Sequence, residues 1–237
     1  MSGQLDDSIS RSYFLPNIAR EARNARTCGV PYRWGFIIYR TAYDDQELWD
    51  QYLICIREAI MRALEPWNDP LGQNSWDYSE DEQIASADVK ASFEIVTKED
   101  QATLDGKTID EVREIFASWV ASFPDEEKGG HHDPRYNYFL YVDKEVLEMF
   151  SEVHFDLKMT EEPDYLDFEM FVVAVEAQLI NWDGTVSDKS DESRRAYKRW
   201  QYVLLEAIPK LYDDSMRGAE VWFQEFKYPP SAKRLFI

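Results

Sequence analysis

Hydrophobic positions along this chain fall into blocks whose spacing shifts between alternation and three- to four-residue steps, and each block predicts an element. Tyr32 to Tyr43 is dense in aromatic and β-branched residues and bounded by turn formers, which predicts a buried strand. Asp44 and Asp45 then offer N-cap oxygens. Leu48, Trp49, Tyr52, Leu53, Cys55, Ile56, Ile60, Met61 and Leu64 recur on one face, predicting an amphipathic helix that ends by Pro66. Residues 66–83 carry Pro66, Pro70, Gly72 and Asn74 and read as a loop.

Farther along, the β-rich run Ser92 to Thr97 predicts a second strand. Thr108 followed by Glu111 matches a capping box, opening a helix with Val112, Ile115, Phe116, Trp119 and Val120 on its apolar face. Tyr136 to Val142 predicts a third strand and residues 143–150 a short helix. Phe168 to Gln178 is apolar enough for an inner strand covered on both faces, although its Ala and Glu content leaves a helix open. A further helix is predicted from Ser190 or Asp191, carrying Tyr197, Trp200, Val203, Leu204, Ile208 and Leu211. Residues 1–30 read as a polar, Arg-rich arm with one short helix around Pro16 to Arg26, and residues 31–237 as a single domain. The order of elements predicts an α+β fold, ferredoxin-like, with a mainly antiparallel sheet and helices packed on one face.

With 237 residues, 44% hydrophobic and 15% aromatic, the chain can bury a sizeable core. No apolar run is long enough to span a bilayer, and charges interrupt the first thirty residues, so a cytoplasmic or nuclear protein with no membrane partner is expected. Cys28 and Cys55 have no metal-type spacing, and a reduced compartment is the economical reading. The net charge of −20 opposes nucleic-acid binding unless it is unevenly spread. It is uneven: residues 1–40 hold six Arg against three acids, and residues 194–237 hold nine Lys and Arg against five acids. An acidic body either serves solubility alone or suits a cationic small substrate such as an arginyl group.

No Gly-x-Ser-x-Gly elbow, Walker loop or Gly-x-Gly-x-x-Gly segment occurs, which removes support for serine hydrolase, P-loop and dinucleotide-binding classes. His131-His132-Asp133 sits in a Gly-rich run, and adjacent histidines point in different directions, so neither a metal nor another cofactor is expected. Glu176 stands among apolar residues, where desolvation favours its neutral form and suits general acid or base work. Gln178 shares its strand face and is a candidate for orienting substrate. Arg40, beside Tyr39 and Tyr43, either pairs with Glu176 or holds a carboxylate or terminal phosphate, and a tyrosine hydroxyl is available as a proton relay. Trp200, Tyr202 and Trp222 either fill the core or form a cage for a guanidinium or a platform for bases.

Several segments together resemble a large, lineage-expanded set of fungal proteins. They are Trp34-Gly-Phe-Ile-Ile-Tyr-Arg-Thr-Ala-Tyr43 with Trp49, Leu104-Asp-Gly106 with Arg113, Phe116 and Trp119, Pro134-Arg-Tyr-Asn-Tyr-Phe-Leu-Tyr-Val-Asp143, and Trp200, Trp222 and Tyr228-Pro-Pro230. In size and general character this set is similar to the fungal arginine-containing cyclodipeptide synthases, which join an arginyl group from aminoacyl-tRNA to a second amino acid and close a diketopiperazine. Such a reaction would require carboxylates for the guanidinium and α-amine, a proton acceptor and a basic surface for the tRNA acceptor end, and the candidates in this sequence are Glu176 for amine recognition or proton transfer, Tyr39 and Tyr141 for relay or orientation, and Arg194, Arg195, Lys198 and Arg199 for phosphate contact. The partners it implies are aminoacyl-tRNA and a small amino-acid substrate. Two other classes fit the same sequence: a non-catalytic interaction protein with an acidic, aromatic surface, and a tailoring enzyme or cyclase that works without tRNA.

Overall fold

Two central strands, each buried along its whole length, organise the molecule in a computed structural model that describes residues 15–64, 87–124, 133–159, 170–177 and 200–217. They are β1 (Ile37–Arg40) and β3 (Tyr138–Val142). The sheet also holds β2 (Val96–Lys98), β4 (Phe171–Glu176) and β5 (Trp200–Leu204), in the order β2-β1-β3-β4-β5. β1 runs parallel to both β2 and β3, whereas β4 is antiparallel to β3 and to β5. The fold is therefore α+β with a five-stranded mixed sheet. The mainly antiparallel, ferredoxin-like arrangement expected from the sequence is corrected by the parallel pairings on both sides of β1. Hydrophobic runs buried on both faces give no sign of strand direction, and that is why the error arose.

The helices among the described residues include α1 (Pro16–Cys28), α2 (Gln46–Ala63), α3 (Gln101–Leu104), α4 (Ile109–Ala121), α5 (Lys144–Met159) and α6 (Ile208–Ser215). From β1 the chain reaches β2 on one side through α2, then crosses back through α4 to β3 on the other. Right-handed crossovers taken in opposite directions place their helices on opposite faces of a sheet. The contacts agree. Tyr39 of β1 and Phe139 of β3 meet Phe116 of α4, with ring centroids 6.2 and 5.1 Å apart. On the other face Arg40 meets Trp49 of α2, Phe36 meets Tyr212 of α6, and Tyr52 of α2 meets Phe150 of α5. Helices thus cover both faces, correcting the one-face expectation.

Local signals fared well where chemistry is short-range. The Asp45 carboxylate accepts from the Leu48 N–H at 2.9 Å and starts α2. Thr108 and Glu111 form the full capping box of α4. Two expectations shift: residues 87–92 are helical, so the second strand starts later, at Val96, and residues 200–204 form β5 where a helix was expected. The β-bridge between Trp34 and Phe93 continues the β1–β2 pairing below the strands proper.

α1, which falls in the N-terminal arm of the sequence reading, packs on the body with Ile18 fully buried. Its first turn has no side-chain cap of its own. The Asp213 carboxylate serves instead, accepting from the Asn17 and Ile18 N–H groups at 2.9 Å each, which satisfies donors that a helix start leaves open. Among the described residues no helix is long and apolar enough to cross a membrane.

Candidate functional site

Where consecutive connections leave a strand in opposite directions, the loops at the carboxyl ends of that strand and its neighbour part and leave a crevice. Here that switch point lies between β1 and β3. The groups at this end are Arg40 to Asp45 after β1, Glu99 and Asp100 after β2, the turn from Asp105 to Lys107, and Asp143 to Glu145 after β3. Backbone bonds tie these loops together: Thr41 N–H to Val142 O at 2.9 Å and Gly106 N–H to Thr41 O at 2.9 Å. Lys144 bridges across to Asp44 at 3.7 Å.

Arg40 is only 2% exposed. Its guanidinium lies over the Tyr43 ring at 4.5 Å and the Trp49 ring at 5.1 Å. Nε donates to Ala42 O at 2.7 Å and Nη1 to Gln46 Oε1 at 2.6 Å. Glu99 Oε2 stands 3.9 Å from Nη1 and accepts from Trp49 Nε1 at 3.0 Å. The arginine is therefore fixed by groups from the loop after β1, from α2 and from the loop after β2.

Around it the potential is negative. Burial and the nearby carboxylates of Glu99, Asp100 and Asp105 push the Tyr43 phenol up to about 12, with Arg40 acting in the opposite sense. Asp143 is raised by burial, against the Val146 N–H that donates to it at 3.0 Å. Tyr141 donates to Lys107 O at 2.8 Å, and its phenol is raised by burial, with Asp143 adding to the shift. The Tyr202 phenol is raised by burial and by Glu145 and Asp143.

Of the residues singled out from the sequence, Tyr39 and Tyr141 are register partners on β1 and β3 and share a face. Arg40 ends β1 one step on, on the opposite face, and Tyr202 lies on the tyrosine face two strands from Tyr141. The Tyr39 hydroxyl is buried without a hydrogen-bond partner among the described residues. Glu176 is buried, 3% exposed, as its apolar neighbours imply, but it pairs with Tyr138 at the other end of β3. Arg40 pairs with Val142, so Glu176 and Arg40 are offset by four residues, about 13 Å along the strands at ~3.3 Å per residue. The Arg40–Glu176 pairing offered as one alternative does not form, because β4 runs antiparallel to β3 and carries Glu176 away from the carboxyl end. Trp200, opposite Val175, likewise sits toward that far end. Gln178, Arg194, Arg195, Lys198 and Arg199 lie outside the described residues, as do His131, His132 and Trp222.

Asp143 was passed over in the sequence. Its position directly after a strand and three residues before Val146 reads as a helix cap, and that is one of its roles; only the strand order shows that it also borders the switch point. Glu99 and Gln46 gave no sequence signal, being polar residues in a polar stretch. No grouping of His, Cys, Asp and Glu that fits a metal ion occurs among the described residues. The sequence matches no family model and no curated protein, and the structure matches no solved one.

Proposed function

We propose that this chain is an acyl-transferring enzyme that handles an arginyl group at the carboxyl ends of β1, β2 and β3, in the manner of the arginine-containing cyclodipeptide synthases it resembles. The observation in its favour is the grouping at this end of the sheet: one immobilised guanidinium, tyrosine hydroxyls and a surplus of carboxylates stand where open sheets with a switch point hold their ligands. Glu99, Asp100 and Asp105 supply the charge that a substrate guanidinium and α-ammonium require. In the reaction an α-amine attacks the carbonyl carbon of an aminoacyl ester. A C–N bond forms, the ester C–O bond breaks, and the amine proton ends on the departing ribose hydroxyl. A second aminolysis, on an ester of the other residue, closes the ring.

Asp143, half-buried and with its carboxyl raised by burial, is suited to take and return that proton. Tyr141 stands beside it to orient the amine. This reassigns proton transfer from Glu176, which the sheet carries to the opposite end. The basic run from Arg194 to Arg199 retains its role toward tRNA on sequence grounds alone.

Expression in a bacterial host followed by metabolite analysis tests the reading. A new arginine-containing cyclic dipeptide is expected with the wild-type chain. Asp143→Asn, which keeps a capping oxygen for α5, should lower its yield by about 100-fold or more, in the range typical for removing a general base. Glu176→Gln should leave the yield within a few-fold. Soluble wild-type protein without product contradicts the synthase, and the reverse pattern in the two variants returns the proton role to Glu176.

A further inference from the structure

A guanidinium withdrawn from water is tolerated where acceptors and negative charge replace its hydration. For Arg40 that replacement is incomplete at one place. Nε and Nη1 are engaged by Ala42 O and Gln46 Oε1, and the guanidinium carbon lies 4.5 Å from the Tyr43 ring centroid and 5.1 Å from that of Trp49. Among the described residues the carboxylate that forms an ion pair with it is Glu99, which is 3.9 Å from Nη1, too far for a hydrogen bond, and is already held by Trp49. Nη2 carries two N–H donors, is buried, and has no hydrogen-bond partner among the described residues. What remains unpaired is the Nη2 edge, and the residue lies at the carboxyl end of β1 beside the switch point.

We infer that the Nη2 edge of Arg40 is an oxyanion site, receiving a carboxylate or phosphate oxygen of a ligand that binds at this end of the sheet. A planar donor fork fits such groups, and charge-assisted bonds to them are the strong ones. Asp100, Asp105 and Asp143 around the crevice would repel a simple anion. They favour an oxyanion carried on a molecule that also bears a cationic group, as a free amino acid does. The site stands on this geometry alone and goes beyond the synthase reading.

Calorimetric titration of the full chain at matched ionic strength, with L-arginine, agmatine and inorganic phosphate, tests the site. Agmatine keeps the guanidinium and lacks the carboxylate. Saturable binding of L-arginine with agmatine at least about tenfold weaker, the scale of one charge-assisted hydrogen bond, identifies a carboxylate site. Binding of phosphate in place of L-arginine identifies a phosphate-bearing ligand for the same edge.

Two variants leave Arg40 in place and should move affinity in opposite directions. Gln46→Glu brings a full negative charge to Nη1 and should weaken the anion by about tenfold, whereas Glu99→Gln removes the competing carboxylate and should strengthen it. A residue with a purely architectural role would not produce opposite signs. No saturable binding of any of the three probes, or affinities unmoved by both variants, overturns the site. Anion binding in a protein that makes no cyclic dipeptide removes the synthase reading and leaves this site standing.

Discussion

Replacing Gly35 by Ala should destabilise the protein by about 3–5 kcal/mol, enough to leave a marginal domain largely unfolded. Gly35 has φ +127°, a conformation that L side chains rarely adopt. A Cβ built there would lie 2.3 Å from the backbone oxygen of Glu94. That oxygen cannot swing aside, because Glu94 N–H donates to Trp34 O at 2.9 Å and Trp34 N–H donates to Ser92 O at 3.0 Å, pinning the two segments together. The strain reaches the core, since Trp34 is fully buried against Phe93 and Tyr212. Chemical denaturation of the purified variant measures the effect, and a midpoint within error of wild type would show that the Trp34–Phe93 bridge is not formed as described.

Raising the pH above about 10 should unfold the protein cooperatively, because ionising its buried tyrosines requires opening the core. Tyr52 is wholly buried with its hydroxyl donating to Phe171 O at 2.6 Å, and Tyr212 donates to Asp133 Oδ1 at 2.8 Å. Burial first, then neighbouring carboxylates, raise both phenols well above their ordinary value of 10. Tyr32 and Tyr39 are raised by burial as well. For an acid whose folded value exceeds its unfolded one, the folded state holds the proton longer. The stability contribution is whole below the unfolded value and is lost as pH climbs from there through the folded one. Between the two values each buried phenol removes about 1.4 kcal/mol of stability per pH unit, so several such phenols together erode a stability of about 5–15 kcal/mol. Tyrosinate absorbance and far-ultraviolet circular dichroism should therefore change together in one step above pH 10. A gradual tyrosine titration with secondary structure intact would place these hydroxyls in solvent.

How much was legible in the sequence depended on the range of the interaction concerned. Asp45 and the Thr108–Glu111 pair act on backbone groups within three residues, so their caps were readable. The apolar blocks gave β1, β3, β4, α2 and α4, since burial imposes period and composition. Strand direction was not readable: Ile37 to Arg40 would look the same beside a parallel or an antiparallel neighbour. With direction unknown, the fold expectation leaned antiparallel, and a Glu176–Arg40 pair stayed open as one alternative until the strand order set the two buried residues at opposite ends of the sheet. The trade of a helix for β5 has the same root, because Trp200, Val203 and Leu204 fit a helical face as well as a strand. Arg40 itself was flagged by its place at the end of an apolar strand, but its free edge depends on Gln46, Glu99 and two rings that only the folded chain assembles.

The central claim is that ligands enter at the carboxyl ends of β1 and β3 and not at the Glu176 end of the sheet. Backbone amide shifts of the isotope-labelled chain, followed while L-arginine or inorganic phosphate is titrated in, test it most directly. The expected result is a saturable cluster of shifts at residues 40–46, 98–107 and 142–146 with residues 136–138 and 174–176 unmoved. Shifts centred on Tyr138 and Glu176, or none for either probe, would contradict it.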